Sequence, residues 1–288
     1  MILRPFEYVE SKTVDDAVSA LKSGGDEARL IAGGTALVPL MKHQILRPSL
    51  LVSIAKVPGL ADIASTVGGV RIGGIATHWA VSHSPVVRER CPLLAYACQR
   101  VASPTIRSMG TLGGNLCYGE SASDPSPALL ALRASVRLHG PTGDRAIPMT
   151  EFFTGFYETA LGAGEVLTAV DVPPMPTGAR WRYLKWTPRA QEDKALVGLA
   201  VMLVLDGRRC RVARLGLGGV AASPVALTRA EQALEGRDLD AATIALAADD
   251  AAGEVVPMDD LQGTAEYRRD MLRVWVHRVV TGLVEGRS

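Results

Sequence analysis

Apolar and polar positions in the first 57 residues follow helical and extended patterns in turn. Thr13 precedes two aspartates and apolar residues spaced by three or four, which is typical of a capped helix that ends at Gly24. Two apolar runs, 28–32 and 50–54, predict strands, and the segment 35–41 between them predicts a second helix. This part of the chain therefore has a β-α-β character.

The rest of the chain changes the order of its predicted elements at a proline-rich loop, 173–178. Before this loop the pattern predicts strands at 70–74, 135–139 and 166–172, and helices at 85–90, 92–101 and 128–132. After the loop it predicts strands at 181–186, 195–205 and 211–217, and helices at 226–234, 240–248 and 267–284. Strands followed by helices predict an α+β layer with a sheet covered on one face.

Composition and charge narrow the class of protein. The 288 residues include 31 basic and 30 acidic side chains, so the net charge of +1 favours neither nucleic acid nor an anionic membrane as partner. No stretch reaches the roughly 18 apolar residues of a membrane-spanning helix, and the N-terminus lacks the apolar core of a secretory signal. We therefore expect a cytoplasmic enzyme or enzyme subunit. The four cysteines and five histidines show no metal-ligand spacing, so an organic cofactor would carry any redox chemistry.

Two glycine turns are the main chemical signal. The first is Ala32-Gly33-Gly34-Thr35-Ala36-Leu37 and the second is Gly110-Thr111-Leu112-Gly113-Gly114-Asn115-Leu116. Paired glycines let backbone N–H groups approach a ligand closely, and successive N–H groups that point one way form an anion-binding nest. The first turn lies between a predicted strand and helix, where the helix dipole also favours a phosphate. Two such turns, each with a nearby hydroxyl, predict a nucleotide cofactor held by its pyrophosphate.

Each candidate residue also has a simpler interpretation. Gly33 and Gly34 can form an ordinary tight turn, and the second glycine segment can be a hairpin. Asp124 directly precedes a proline and a predicted helix, so alone it is more often a helix cap than a ribose ligand. Lys185 suits a strand residue that faces solvent or a partner, and the third glycine cluster, 216–219, suits a structural turn. No nucleophile elbow, zinc-protease motif or nucleoside-triphosphate loop is present, nor is the Rossmann fingerprint.

At these residues the chain resembles the FAD-binding medium subunit of molybdenum hydroxylases. This family includes the medium subunit of carbon monoxide dehydrogenase and the flavin domain of xanthine dehydrogenase. The likeness covers essentially the whole chain, and its motifs are Ala32-Gly33-Gly34-Thr35, Thr111-Leu112-Gly113-Gly114-Asn115, Ser123-Asp124-Pro125, Phe152-Phe153-Thr154-Gly155-Phe156, Gly164-Glu165-Val166-Leu167 and Gly216-Leu217-Gly218-Gly219-Val220-Ala221.

The resemblance implies an α+β fold: a two-subdomain FAD-binding fold of the PCMH/vanillyl-alcohol-oxidase type plus a C-terminal α+β domain. It divides the chain into FAD-binding subdomains at 1–57 and 58–175 and a C-terminal flavoprotein domain at 176–288. It also implies non-covalent FAD, with a pyrophosphate site at Ala32, Gly33, Gly34, Thr35, Ala36, Leu37, Thr111, Leu112, Gly113, Gly114 and Asn115. By the same resemblance Asp124 lies at the FAD ribose, Leu167 packs near the flavin or adenine, and Lys185 lies near the ring.

The sequence departs from the family pattern in two places. Ala36 stands where relatives often carry a polar side chain, and Val101 stands where some relatives place an aromatic beside the flavin. The chain also lacks the inserted cysteines of relatives that hold an iron–sulfur cluster in this subunit. The resemblance therefore implies FAD alone in this chain.

The function implied by the resemblance is electron relay. A large partner subunit holds the molybdenum cofactor, and a small partner with two [2Fe–2S] clusters passes electrons to the FAD of this chain, in a dimer of heterotrimers. The electrons then leave to an acceptor such as NAD⁺, a quinone or O₂. Two alternatives stay open: a self-sufficient flavoenzyme of the same broad fold, and a nucleotide-binding module without redox activity.

Overall fold

The computed structural model describes residues 3–190 and 192–286 as alternating strands and helices. The strands are β1 (Glu7–Glu10), β2 (Ala28–Ile31), β3 (Leu50–Ser53), β4 (Ile63–Thr66), β5 (Gly69–Gly73), β6 (Ser135–Gly140), β7 (Gly143–Pro148), β8 (Phe153–Gly155), β9 (Glu158–Thr159), β10 (Val166–Val172), β11 (Arg180–Trp186), β12 (Val197–Asp206), β13 (Arg209–Gly218) and β14 (Val225–Ala226). The helices are α1 (Val14–Gly24), α2 (Leu37–Lys42), α3 (His78–His83), α4 (Pro85–Arg90), α5 (Pro92–Gln99), α6 (Pro104–Met109), α7 (Leu112–Tyr118), α8 (Pro125–Ala131), α9 (Met149–Phe152), α10 (Thr228–Leu234), α11 (Ala241–Gly253) and α12 (Ala265–Val284).

The first sheet is parallel, in the order β1-β3-β2, and α1 makes the crossover between β1 and β2. Thr13 begins α1 as expected: its side chain accepts a hydrogen bond from the Asp16 N–H at 3.0 Å. The Asp16 carboxylate accepts one from the Thr13 N–H at 2.9 Å, which completes a capping box. The predicted β-α-β start of the chain is confirmed, and it brings the end of β2 to the start of α2.

The second sheet is antiparallel, in the order β4-β5-β10-β6-β7. Its inner face and helices α5, α7 and α8 enclose a buried core that includes Ile72, Leu94, Leu116 and Leu129. The predicted strands at 70–74, 135–139 and 166–172 are present in this sheet. The outer strands β4 and β7 escaped prediction because their exposed, polar residues carry little apolar periodicity.

The third sheet, β11-β12-β13-β14, follows the proline-rich loop and is covered on both faces. Helices α10 and α12 pack on one face, with α11 packed against these two helices, while α5 and α8 of the preceding part pack on the other face. The expectation of a sheet covered on one face is therefore wrong, because the apolar run of β12 is buried on both sides. Gly216 permits this close approach: a Cβ atom there would lie 2.0 Å from the carbonyl oxygen of Pro127.

The α+β fold class is confirmed, and the third glycine cluster is structural as expected. Each of the three proposed domains, 1–57, 58–175 and 176–288, contains one of the three larger sheets, which supports this proposed division. Within the described residues, no helix combines the length and the apolar character needed to cross a membrane.

Candidate functional site

A cavity of about 410 Å³ lies where the two glycine motifs meet the segment 161–167. All but three of the residues predicted to bind the cofactor line this cavity. The lining members are Ala32, Gly33, Gly34, Thr35, Ala36, Leu37, Thr111, Gly113, Gly114, Asn115 and Leu167. The three exceptions are Leu112, which is buried in the core behind the wall, and the pair Asp124 and Lys185.

Three glycines let the walls of the cavity stack backbone against backbone. A Cβ atom on Gly33 would lie 1.9 Å from the carbonyl oxygen of Met109, next to the second motif. A Cβ atom on Gly113 would lie 2.5 Å from the carbonyl oxygen of Gly74, and one on Gly74 would lie 2.2 Å from that of Leu167. Since no side chain fits at these contacts, only glycine allows the segments to meet at this distance.

The first glycine turn presents unpaired backbone donors to the cavity. Within the described residues, the N–H groups of 33–37 have no hydrogen-bond acceptor. Gly34 has a φ of +70°, and its carbonyl accepts from the Val38 N–H at 3.0 Å as α2 begins. Successive free N–H groups at the start of a helix form the nest that the sequence predicts, and such a nest suits an anion.

The N–H groups of Gly113, Gly114 and Asn115 in the second glycine motif are hydrogen-bonded within the protein. The Gly113 N–H donates to the Gly74 carbonyl at 2.9 Å. The N–H groups of Gly114 and Asn115 donate to the side chain and the carbonyl of Thr111, at 3.1 and 2.9 Å. The expected second nest is therefore not formed, and the segment is not a hairpin. It is the capped start of α7, which offers side-chain donors to the cavity instead.

Asn115 is oriented by a chain of hydroxyl groups. Its Oδ1 accepts a hydrogen bond from the Ser123 hydroxyl at 2.6 Å, and Ser123 Oγ in turn accepts from the Ser126 hydroxyl at 2.7 Å. This arrangement fixes the amide orientation and leaves Nδ2 of Asn115 without an acceptor in the described part of the chain. Asn115, which lines the cavity, therefore has two amide hydrogens available for a hydrogen bond.

The segment 161–167 forms the opposite wall and is held by an ion pair. Both Glu165 carboxylate oxygens accept hydrogen bonds from Arg145, each at 2.6 Å, and one also accepts from the Gly162 N–H at 2.6 Å. The Arg145 hydrogen bonds lower the pKa of Glu165, although partial burial opposes this effect. The negative charge of Glu165 is therefore balanced by Arg145, and the carboxylate holds the wall without repelling an anion.

His78 lines the cavity, and the sequence alone did not identify it. Its Nδ1 atom is buried without a hydrogen-bond partner. Burial, assisted by the nearby Arg107 charge, lowers the pKa of His78 to about 4, so the imidazole is neutral at pH 7. One ring nitrogen of a neutral imidazole is a donor and the other an acceptor. No local motif marks His78, because its position depends on the contact of α3 with the second glycine motif.

Asp124 and Lys185 form a buried ion pair behind the cavity wall. Lys185 Nζ lies 2.9 Å from Asp124 Oδ2 and donates to the Arg100 carbonyl at 2.8 Å, while the Tyr183 hydroxyl donates to Asp124 Oδ1 at 2.7 Å. The Lys185 side chain is 2% exposed, so the expectation of a strand residue that faces solvent or a partner is wrong. Asp124 occupies the cap position of α8, but its side chain makes no capping hydrogen bond.

The pair connects the cavity wall with the third sheet. Burial raises the pKa of Asp124, although the Lys185 ammonium and the Tyr183 hydroxyl lower it. Arg100, whose carbonyl Lys185 holds, directly precedes the cavity residue Val101. Asp124 and Lys185, which the sequence places at the cofactor, therefore help to position the cavity wall at Val101.

Two family models together match nearly the whole chain. The FAD binding domain in molybdopterin dehydrogenase matches residues 4–175, and the CO dehydrogenase flavoprotein C-terminal domain matches residues 182–283. The chain belongs to this flavoprotein family. The resemblance inferred from the sequence motifs is thereby confirmed, and the boundary between the two matches falls in and just after the proline-rich loop.

Curated relatives and a solved structure of this family align with the chain over nearly its whole length. The chain is 35% identical to the carbon monoxide dehydrogenase medium chain of Afipia carboxidovorans, over 97% of each protein. It is 34% identical to the 6-hydroxypseudooxynicotine dehydrogenase complex subunit alpha of Paenarthrobacter nicotinovorans, over 96% of this chain and 93% of the relative. It superimposes with a TM-score of 0.96 on a chain of carbon monoxide dehydrogenase from Hydrogenophaga pseudoflava, at 34% identity and with 100% and 99% of the chains covered.

We expect the change of Lys185 to methionine to leave the Asp124 carboxylate buried without its counter-charge. Lys185→Met should lower the free energy of unfolding by about 3–5 kcal/mol, the usual cost of breaking a buried ion pair. The double variant Asp124→Asn/Lys185→Met removes both charges and should recover most of that loss. Urea unfolding at neutral pH measures both effects. A double variant as unstable as the sum of its single changes would show that the two side chains are not coupled.

Proposed function

We propose that this chain is the FAD-binding, electron-transferring subunit of a molybdenum-containing hydroxylase. The observation that carries the proposal is the cavity itself, which is lined by residues 33–37, whose five consecutive N–H groups have no acceptor among the described residues, and by the hydroxyl and amide residues of a second motif. Its family has an FAD-binding domain over residues 4–175, and that range contains both motifs. The cavity therefore has the donor set that a dinucleotide diphosphate requires.

The residues of the cavity fit FAD bound without a covalent bond. The N–H groups of the first turn would hold one side of the diphosphate, and the hydroxyls of Thr35 and Thr111 and the amide of Asn115 would hold the other. Because these donors are neutral, they position the diphosphate by hydrogen-bond geometry more than by net charge. Leu167 and Val101 supply apolar contacts to the ring systems. Val101 leaves out the aromatic contact that some relatives provide.

The chain provides a cofactor site without substrate chemistry of its own. When bound, FAD supplies the storage of two electrons that can be exchanged singly or as a pair. Among the described residues that line the cavity, Glu165 is held by Arg145 and His78 is neutral and buried. Neither is placed as an acid–base catalyst for a separate substrate. The protein instead binds the cofactor, excludes water and fixes its orientation.

The oxidation of substrate is assigned to partner subunits. We propose a large subunit with a molybdenum cofactor and a small subunit with [2Fe–2S] clusters, assembled as a dimer of heterotrimers in the cytoplasm. Relatives at 34–35% identity carry names that mark them as the medium chain or one subunit of such a dehydrogenase. Among the described residues no group of cysteine, histidine, aspartate and glutamate is arranged to hold a metal ion.

The assembly is tested by purification of the native protein under gentle conditions. We expect the chain to elute with a molybdenum-containing and an iron–sulfur-containing subunit, and with flavin absorption near roughly 450 nm. Reduction of the complex by its substrate should bleach that band. A flavin-loaded protein that purifies alone and turns over a substrate would instead favour a self-sufficient flavoenzyme. Protein without flavin bands would favour the non-redox module.

A bulky residue in the second glycine motif should remove FAD. A Cβ atom on Gly114 meets only the Thr111 hydroxyl, at 2.7 Å, so a valine there would crowd the cap and extend into the cavity. We expect Gly114→Val to weaken FAD binding at least about tenfold, equivalent to about 1.4 kcal/mol. Flavin absorbance after titration of the apoprotein measures this. Gly68→Val is the matched control, because a Cβ atom there has no atom within 4 Å.

The same substitution in the first motif should act through the backbone. Gly34 has a φ of +70°, a conformation that valine rarely adopts, so Gly34→Val should distort the nest and also lower FAD binding. Full flavin occupancy in both valine variants would contradict the assignment of the cavity.

His78 should contribute a hydrogen bond to the bound cofactor. A hydrogen bond is worth about 0.5–1.5 kcal/mol, so His78→Leu should weaken FAD binding by roughly two- to tenfold. Removing a buried, unpartnered nitrogen should leave the apoprotein as stable or more stable. Flavin titration and urea unfolding of the apoprotein measure the two effects. His83→Leu, an exposed position on the same helix, is the control; equal FAD affinity in both variants would exclude this role.

A further inference from the structure

The strand β11 has a free edge. It pairs with β12 on one side, from Arg180 opposite Leu203 to Trp186 opposite Val197, without an interruption of the register. In an antiparallel strand alternate residues turn their N–H and C=O groups away from the partner strand. On the outer side of β11 these groups have no backbone partner among the described residues. Such an edge can accept a further strand.

Two helices flank this edge and leave a groove along it. The groove has a volume of about 830 Å³ and follows the whole segment 179–185. Tyr96 and Arg100, at the end of α5, form one wall, and Leu283 and Gly286, at the end of α12, form the other. Because an extended chain rises about 3.3 Å per residue, the groove accommodates a strand of six or seven residues.

The groove carries positive charge without compensation. Arg100 and Arg182 line it and Arg278 lies beside Arg182. In the described part of the chain none of these three guanidinium groups has a hydrogen bond or an ion pair, although Arg100 lies over the Tyr96 ring and Arg278 over the Trp275 ring. Other exposed arginines of this domain are paired, as Arg211 is with Asp206 and Arg229 with Asp250, whereas Arg209, Arg237 and Arg269 have no such partner among the described residues. No aspartate or glutamate is among the described residues that line the groove. The groove therefore favours an acidic occupant.

The backbone of the edge distinguishes a peptide from a small anion. A free strand edge presents N–H and C=O groups alternately, and the C=O groups repel the oxygens of a phosphate. An extended peptide satisfies both kinds of group and places every second side chain toward one helix wall. On the α5 wall, Arg100 stacks over Tyr96 and Tyr96 contacts Trp181 at a ring distance of 6.0 Å, which provides an apolar surface beside the charges.

We propose that an extended acidic segment of a partner subunit binds in this groove as a fifth strand of the third sheet. The proposal rests on the proposed function, because it requires that the chain assembles with partner subunits. Lys185 holds the carbonyl of Arg100, the residue before Val101 in the cavity wall. The added strand would therefore lie next to the wall of the FAD site.

Hydrogen–deuterium exchange tests the added strand directly. We compare the FAD-loaded chain alone with the same chain in the complex co-expressed with its partner subunits. Alternate amides within 180–186 should exchange about tenfold more slowly in the complex, because they gain hydrogen-bond partners. Arg182→Glu should weaken assembly of the complex by about tenfold, through like-charge repulsion. Arg269→Glu, an exposed position at the other end of α12, should leave assembly unchanged.

The possible outcomes separate this proposal from the proposed function. A complex that forms with unchanged exchange in β11 overturns the added strand and leaves the function intact. An unchanged assembly in Arg182→Glu overturns the acidic character of the segment. Protection of the isolated chain by inorganic pyrophosphate, without protection in the complex, identifies a small-anion site and overturns the proposal. An FAD-loaded chain that binds no partner overturns both.

Discussion

The cavity depends on direct contact between backbone segments that have no room for a Cβ atom. Gly33 lies against the carbonyl of Met109, Gly113 against that of Gly74, and Gly74 against that of Leu167. The first contact joins the segment after β2 of the parallel sheet to the end of α6. The other two join α7 and the neighbouring strands β5 and β10 of the antiparallel sheet, and the cavity lies where these segments meet. The architecture of the FAD-binding part is thus a consequence of close packing at glycine, and the first turn, whose N–H groups are free among the described residues, lines the space beside these contacts.

The two glycine motifs have different tasks although their sequences look alike. The first keeps its N–H groups free, whereas the second uses its N–H groups to attach to the Gly74 segment and to begin α7. Two acidic side chains at and behind the cavity wall form ion pairs: Glu165 pairs with Arg145, and Asp124 pairs with Lys185. A diphosphate at this site, as we propose, would be held by neutral donors through hydrogen-bond geometry, while the ion pairs fix the walls.

The third sheet connects the wall of the cofactor cavity with the basic groove at which we propose that a partner subunit binds. One face of this sheet packs on α8, through Gly216 and Pro127, and its edge strand β11 carries both Lys185 and the basic groove. A chain that transfers electrons for another subunit needs its cofactor close to an interface. The short path from the groove through Arg100 to Val101 meets that need within a single packed body.

The sequence by itself determined the fold class, most of the strands and helices, and the two glycine motifs, because apolar periodicity, caps and turn glycines are local properties. It also led to the family, since several short motifs occur in one order along the chain. The tertiary structure alone decided which N–H groups stay free, that Asp124 pairs with Lys185, and that His78 reaches the cavity. These features depend on contacts between residues far apart in the chain, such as Asp124 and Lys185, for which no local pattern exists. The same reason explains the sheet covered on both faces: the second cover, α8, comes from a different part of the chain than the strands it packs on.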